Sequence, residues 1–555
     1  MSSWDYLVVG LYFALTFVIA YWVTVRERNK SSTRDYFLAN RDAGWFLIGA
    51  SLFASNIGAE HIIGLAGSGA RGDMPAGQFE ILASFMLILL GWLFVPFYLK
   101  SGVFTMPEFL ERRYSRSARV YLSVVSIIAY VLTKISLTIF AGALVFEVLG
   151  VPFWTGALIV VIFTGVYTVF GGFKAVLYTD MVQLFVLLGG MLVVTLVPLQ
   201  MLGGWSGLMA SVQAAGAQDP TLHAADFFNL WRPAADTRYP WTGLMFGAPI
   251  LGIWYWCTDQ FIVQRVLSAP NVSEGRRGAL FAGYLKQLPL FIFLVPGILA
   301  FALSRQGLMP TLSDPDKALP LLISEILPTG LKGLVIAGLL AALMSSLSSA
   351  FNSCSTLFTI DFYARYRPQA SERELVWTGQ LATGVLVAIS LAYIPLMKTL
   401  TEGGGIIQYM QSVQAYISPP IAAAFLLGLF FRRINSRGAI LSLWTGFVIG
   451  VLRLVGEFMV KNGQLQPAPG SWTEHFIGMN FLHFAFWLFV LSALILVTGS
   501  RLGPQQPPDT LQGLIYNRSE RGFFESNRTD VLLTLVLAGI VVAVWVIFSP
   551  AGIGR

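Results

Sequence analysis

Apolar stretches of about 20 residues recur along nearly the whole chain and leave little room for any other kind of structure. Of its 555 residues, 55% are hydrophobic and only 12% are charged. Because about 20 apolar residues are needed to cross a bilayer as a helix, about fourteen such stretches predict an all-α polytopic membrane protein. The predicted spans are 5–24, 45–68, 78–99, 119–148, 152–170, 176–202, 241–262, 279–303, 328–358, 376–397, 405–430, 438–456, 476–499 and 530–549.

Basic residues are distributed unevenly between the alternate loops of this topology. About two thirds of the 36 Lys and Arg residues lie in loops on one side of the predicted bilayer. Cytoplasmic loops are rich in Lys and Arg, so we expect a multi-pass protein of the cell membrane with both termini outside. The net charge of +7 is then explained without a nucleic-acid partner, and residues 1–555 are expected to form a single transmembrane domain surrounded by lipid.

Six serines crowd into one of these predicted spans, in the segment AALMSSLSSAFNSCSTLF at 341–358. At about 100° per residue, Ser345, Ser346, Ser349 and Ser353 fall with Ala342 in one stripe roughly 100° wide. Oxygen atoms that converge in this way suit a small, hard cation without its water. The alternative is that these small residues let helices pack closely while their hydroxyls bond to carbonyls of their own helix.

Glycines accompany polar residues in two spans that lie five spans apart. The second span carries Asn56, Glu60 and His61 among several glycines, and the segment 243–260 contains Gly247, Pro249 and Gly252. Two broken helices in corresponding positions indicate an inverted-repeat transporter with its binding site near the middle of the membrane. Ordinary glycine kinks are the alternative.

Further polar and aromatic side chains lie inside the predicted spans. Carboxylate, ammonium, imidazole and amide groups in separate spans can together bind the hydroxyls of a neutral polyol, and an aromatic run offers a face to a sugar ring. A structural Glu80–Lys286 ion pair and an interfacial aromatic belt are the alternatives. The residues concerned are Glu80, Lys134, Asp180, Asp259, Lys286, Gln408, Gln411, Gln414, Trp254, Tyr255 and Trp256.

These segments resemble the sodium/glucose cotransporter branch of the solute:sodium symporter family over nearly the whole chain. The most specific motifs are WYWCTDQFIVQR at 254–265 and AALMSSLSSAFNSCSTLFTID at 341–361. The other matching segments are DYFLANR at 35–41, GASLFASNIGAEHIIGLAGSGA at 49–70, FE at 79–80, TKIS at 133–136, YTD at 178–180, AGYLK at 282–286 and SPPIAAAFLLGLFFRR at 418–433.

The resemblance implies a LeuT-type core of two inverted five-helix repeats at about 45–202 and 241–430. The peripheral helices would lie at about 5–24, 438–456, 476–499 and 530–549. It also implies Na+ as the coupling ion. The first sodium would be held by backbone carbonyls of Ala54, Ile57 and Ala342 and by the hydroxyls of Ser345 and Ser346. A second would bind at Asp180, Ser348 and Ser349, although Asp180 as a structural helix cap is the alternative.

The resemblance likewise implies a sugar site formed by Asn56, His61, Glu80, Tyr255, Trp256, Lys286 and Gln411, with Tyr255 as the inner gate. The chain departs from the family at Gly252, where members carry a polar side chain, and at Gln414, which replaces a smaller residue.

We therefore expect sodium-coupled symport of a hexose, such as glucose or galactose, by alternating access with two sodium ions per sugar. A phosphate-binding loop, a metal triad and a nucleophile–base pair are not evident in the sequence, so we do not expect an enzyme. The alternatives are symport of an inositol or an acidic sugar, and a sugar-gated sensor or channel.

Overall fold

The regular structure of the chain is helical. The computed structural model describes residues 2–26, 39–148, 150–401, 405–516 and 527–554; part of the motif at 35–41 lies outside these ranges. Within them, the one strand-like pairing is an isolated bridge between Arg232 and Pro240. The all-α prediction is confirmed.

Eleven helical runs of the described residues are long and apolar enough to cross a membrane alone. A twelfth span is the pair Trp45–Asn56 and Ala59–Arg71, whose two halves meet at an angle of 61°. The eleven runs are Ser3–Val23, Met74–Ser101, Arg116–Glu147, Phe173–Met201, Val272–Arg305, Leu331–Tyr366, Glu372–Pro395, Gly405–Phe430, Ser436–Lys461, Phe481–Arg501 and Arg528–Ile547.

The two predicted spans still to be placed are the fifth, 152–170, and the seventh, 241–262. The fifth is not separate from the sixth, because both lie in one continuous helix, Phe153–Met201. The seventh is divided into Trp241–Phe246, Ala248–Gly252, a π-helical turn Ile253–Thr258, and Gln260–Leu267. All fourteen predicted stretches therefore lie on helix.

Several of the long runs are built from α-helices joined by π-helical turns, which widen the helix locally and often accompany functional sites. The π-helical turns are Leu90–Phe94, Tyr130–Ile135, Leu290–Leu294 and Leu357–Tyr363. The α-helices not yet bounded are Ser3–Arg26, Gln78–Leu89, Val95–Ser101, Met106–Arg113, Arg116–Ala129, Ser136–Val148, Gly204–Gln218, Val272–Leu285, Val295–Arg305, Ala318–Glu325, Leu331–Thr356, Ala364–Tyr366, Glu372–Thr401 and Trp472–Gly478.

The break in the seventh span lies later than its glycines and proline predicted. Backbone geometry becomes extended at Asp259 (φ −82°, ψ 131°). Pro249 instead stands in the first turn of a helix, where its missing N–H costs no hydrogen bond. A Cβ on Gly247 would lie 2.1 Å from the carbonyl oxygen of Leu482. Gly247 therefore permits close helix packing; it separates two short helices but keeps helical angles (φ −88°, ψ −50°), whereas the extended break is at Asp259.

The serine-rich helix Leu331–Thr356 forms the centre of the bundle, and nearly all of its residues from Val335 onward are buried. It packs along Phe153–Met201 and touches Trp45–Asn56, the first half of the bent span. By contrast, the outer helix Arg528–Ile547 exposes apolar side chains such as Leu532 and Leu535. Such a surface is stable against lipid rather than water.

Candidate functional site

The bend in the span 45–71 leaves backbone carbonyl groups free inside the bundle. Ile57 (φ −86°, ψ 88°) and Gly58 (φ −89°, ψ 173°) depart from helical geometry. The N–H of Gly58 donates to the carbonyl two residues earlier at 3.2 Å, and the N–H of His61 donates to Gly58 at 3.0 Å. In a continuous helix these N–H groups would pair with the carbonyls of Ala54 and Ile57. Those two oxygens are thus available to a ligand.

Ser346 presents a second source of free oxygen on the serine-rich helix. Its hydroxyl is buried and has no hydrogen-bond partner among the described residues. An unsatisfied polar group in a dry interior costs about 1–3 kcal/mol, which a bound cation would offset. Ala342, one turn earlier on the same helix, is also buried.

Asp180 joins the serine-rich helix to the bent span. Its carboxylate accepts hydrogen bonds from Ser345 Oγ at 2.5 Å and from Ser51 Oγ at 2.5 Å. Ser51 lies one helical turn before Ala54. The oxygen atoms assigned to the first sodium therefore come from two helices that meet at this carboxylate.

The residues assigned to the second sodium are not gathered around one point. Ser348 Oγ donates to the carbonyl of Ser345 at 3.0 Å, within its own helix. The guanidinium of Arg265 lies between the other two: its Nη2 donates to Ser349 Oγ at 2.5 Å and lies 3.4 Å from Asp180 Oδ2. Sequence reasoning missed Arg265, although it ends the motif at 254–265.

All seven residues assigned to the sugar line a single cavity between the two broken spans. Gly252 and Gln414, the positions where the chain departs from the family, line the same cavity. The complete lining is Asn56, His61, Phe79, Glu80, Leu82, Ala83, Met86, Ala248, Leu251, Gly252, Tyr255, Trp256, Lys286, Met410, Gln411 and Gln414.

A series of hydrogen bonds between side chains runs across this cavity. Lys286 Nζ donates to both Glu80 Oε2 and Asn56 Oδ1, and Asn56 Nδ2 donates to the hydroxyl of Tyr255 at 2.9 Å. Lys286 Nζ also lies 5.3 Å from the centre of the Trp256 ring, a cation–π contact. These hydrogen bonds hold both donors and acceptors in fixed positions, as recognition of a polyol requires.

His61 connects the cavity to a second cluster of charge behind it. Its Nε2 lies 3.5 Å from Glu80 Oε1, and its Nδ1 lies 3.8 Å from Glu60 Oε1. Glu60 in turn lies beside Lys134 and Thr138. Glu60 and Lys134 were recognised in the sequence as buried polar residues, but nothing in their spacing indicated that they meet.

Ion pairs also lie at both ends of the bundle, where carboxylates outside the spans meet arginines at the ends of spans. Arg71 Nη2 contacts Asp316 Oδ1 at 2.7 Å, and burial raises the pKa of Asp316 although Arg71 opposes this. At the other end, Glu111 accepts hydrogen bonds from Arg119 at 2.7 Å and from Arg365. Burial raises the pKa of Glu111, but these two arginines outweigh it and lower the pKa overall.

Comparison with known proteins identifies relatives over most of the chain. The sodium:solute symporter family model matches residues 36–446. Sodium/glucose cotransporter 1 from Ovis aries is 39% identical over 521 residues, which cover 89% of this chain and 78% of that protein. The sodium/mannose cotransporter SLC5A10 from Bos taurus is 41% identical over 537 residues, covering 92% and 89% respectively.

A solved structure shares the fold. The substrate-bound, outward-open structure of a Na+-coupled sialic acid symporter matches with a TM-score of 0.74. It is 21% identical in sequence, and the match covers 91% of this chain and 99% of that one. At this identity the likeness establishes the architecture alone, that of a LeuT-type transporter.

Proposed function

Because the chain belongs to the sodium:solute symporter family, we propose that it imports a neutral hexose, such as glucose or galactose, together with sodium. The family membership and the LeuT-type fold expected from the motifs are confirmed. Members of this family are transporters, so the chain is a sodium-coupled, multi-pass membrane transporter and not an enzyme.

The observation that carries the hexose proposal is the single cavity lined by all seven residues assigned to the sugar. Its two opposite charges, Glu80 and Lys286, are paired with each other, and Lys134 behind it faces Glu60. Each ammonium is thus balanced by a carboxylate, which favours a neutral polyol over an acidic sugar. Relatives that carry glucose or mannose support the same class of substrate.

For the first sodium we propose a cage of the Ala54, Ile57 and Ala342 carbonyls and the Ser345 and Ser346 hydroxyls. The released carbonyls at the helix break and the unpartnered Ser346 hydroxyl support this assignment. Neutral oxygens of this kind suit a monovalent hard cation.

For the second sodium we propose Asp180 with Ser348 and Ser349, giving two ions per sugar. In the structure Arg265 contacts both Asp180 and Ser349. A second ion must therefore either displace these arginine contacts or bind beside them.

We further propose alternating access between core repeats at about 45–202 and 241–430, in the cell membrane, with both termini outside. The uneven distribution of basic residues between loops supports this orientation. Hexose import would then follow the inward sodium gradient.

Two other functions remain as competing proposals. An inositol fits the same neutral, hydroxyl-binding cavity, and an acidic sugar would need a cation that is not already paired. A sugar-gated sensor or channel would use the same site but would not concentrate its ligand.

Uptake by purified protein in proteoliposomes tests these proposals. We expect labelled glucose, galactose or mannose to accumulate above the external concentration in a sodium gradient, and not when choline replaces sodium. Myo-inositol and sialic acid serve as competitors. Accumulation of inositol or sialic acid alone would refute the hexose assignment, whereas sodium-driven equilibration without accumulation would indicate a channel.

A further inference from the structure

Glu60 occupies an unusual place at the break of the bent span. It is the second residue of the helix Ala59–Arg71, and its carboxylate is fully buried. The carboxylate folds back toward the break: a Cβ on Gly58 would lie only 2.1 Å from Glu60 Oε2. A side chain at position 58 would therefore displace the Glu60 carboxylate from this place.

The two carboxylate oxygens of Glu60 differ in their contacts: Oε2 accepts a hydrogen bond, and Oε1 has no hydrogen-bond partner among the described residues. Thr138 Oγ1 donates a hydrogen bond to Oε2 at 2.7 Å. The other oxygen, Oε1, lies 3.8 Å from Lys134 Nζ and 3.8 Å from His61 Nδ1. These distances exceed hydrogen-bond length, and Oε1 and His61 Nδ1 have no hydrogen-bond partner within that length among the described residues, whereas Lys134 also interacts with the side chain of Tyr255. Oε1 thus lies near both neighbours without a hydrogen bond to either.

The two neighbours of Glu60 lead to different parts of the proposed transport machinery. Lys134 Nζ lies 4.9 Å from the centre of the Tyr255 ring, the proposed inner gate. His61 lines the sugar cavity and faces Glu80 through its other nitrogen. Meanwhile the carbonyls of Ala54 and Ile57, proposed to bind sodium, belong to the same break.

We propose that Glu60 is a positioning residue that couples sodium at the helix break to the sugar site and its gate, by exchanging its free oxygen between Lys134 and His61. Sodium bound by the Ala54 and Ile57 carbonyls fixes the backbone around Gly58, and thereby the position of the Glu60 carboxylate. This position sets which neighbour is bound, and so the orientation of the His61 ring and the place of Lys134 against Tyr255.

A coupling role for Glu60 predicts an effect on ligand affinity that a purely structural ion pair does not predict. Two sites that are coupled must each change the affinity of the other, typically by about 5- to 150-fold. A carboxylate that only neutralises Lys134 would affect stability without changing how strongly sodium promotes sugar binding. The inference rests on the proposed sodium and sugar sites, so the two must be tested separately.

The decisive variant is Glu60→Gln, which keeps an acceptor for Thr138 but removes the charge. Sugar affinity is measured at low and at saturating sodium, and labelled sodium uptake is measured without sugar. In wild type we expect sodium to raise the affinity for sugar. In Glu60→Gln this enhancement should fall at least about fivefold, and sugar-independent sodium uptake should rise. Lys134→Gln should behave similarly, and the double variant should lose no more than either single one.

Asp530→Asn is the matched control. Asp530 lies on the outer helix Arg528–Ile547, and its buried carboxylate is paired with Arg276 and Arg277. It should leave sodium enhancement unchanged. An unchanged enhancement in folded Glu60→Gln and Lys134→Gln would overturn the proposal. If Glu60→Gln does not fold, Glu60→Asp, which keeps the charge but withdraws it from both neighbours, decides in the same way. Failure of wild type to take up hexose would refute the proposed substrate, whereas the sodium-only fluxes would still test the coupling.

Discussion

Gln411 and Gln408 lie about one turn apart on the same helix but line different cavities. If Gln411 binds sugar, Gln411→Ala should weaken sugar affinity about 5- to 150-fold, because each hydrogen bond lost in a dehydrated site costs about 1–3 kcal/mol. Gln408→Ala, which faces away from the sugar cavity, is the matched control and should change affinity little. Equilibrium binding of labelled sugar measures both. Equal effects of the two substitutions would contradict the site assignment.

The buried hydroxyl of Ser346 has no hydrogen-bond partner among the described residues. Ser346→Ala should raise the sodium concentration for half-maximal uptake about fivefold or more, since a lost ligand in a closed cage is not replaced by water. Ser442→Ala serves as control: this buried hydroxyl on an outer helix donates to the carbonyl of Ser492 at 2.7 Å. An unchanged sodium curve for Ser346→Ala would return the serine stripe to a role in helix packing.

At the scale of elements, helix contacts made through glycine are a test of the bundle. Gly247→Ala places a methyl group 2.1 Å from the backbone carbonyl of Leu482, so the segment Trp241–Phe246 must shift from its neighbour. We expect the free energy of unfolding to fall by about 1–3 kcal/mol. Gly539→Ala, which meets nothing within 4 Å in its helix, should be neutral or stabilising by about 0.5–1 kcal/mol. Thermal unfolding in detergent compares the two; a stable Gly247→Ala protein would refute this packing.

The ionic network at Glu111 ties the helices Met106–Arg113 and Arg116–Ala129 to Arg365. Its pKa is lowered below the ordinary 4.5, so its stabilisation is present above that value and is lost as pH falls through the folded pKa. Glu111→Gln should therefore destabilise the protein by about 1 kcal/mol at neutral pH, with the difference closing in acid. Thermal unfolding at several pH values measures this. Glu147→Gln, at an exposed position, is the control and should leave the unfolding temperature at neutral pH little changed.

For the whole molecule, coupling stoichiometry sets the sugar gradient that the transporter can sustain. One sodium ion moving through about 100 mV supplies about 2.3 kcal/mol, and a tenfold gradient adds about 1.4. One ion therefore supports a roughly 500-fold sugar gradient, and two ions about 10⁵-fold. We expect two ions in wild type and one in Asp180→Asn, measured by the reversal potential of sugar-coupled current. A wild-type ratio near one would refute the second sodium site.

The components of the candidate site were predictable from sequence to different degrees. The seven residues assigned to the sugar line one cavity, and their role in sugar binding stays a prediction. The place of the second break within 243–260 was not predicted: Gly252 lies on helix, Gly247 separates two short helices with helical backbone angles, and the extended residue is Asp259. Glycine weakens a helix, but it also permits close packing, and only the neighbouring helix decides which effect applies.

The sequence by itself determined that this is a helical membrane protein, since its long apolar stretches admit hardly any other structure. It also predicted which polar residues lie within the apolar spans. The tertiary structure decided how those residues pair. Arg265 lies between Asp180 and Ser349, and Glu60 lies beside Lys134 and Thr138. Hydropathy depends on each segment alone, whereas these contacts depend on the rotation and depth of helices distant in sequence.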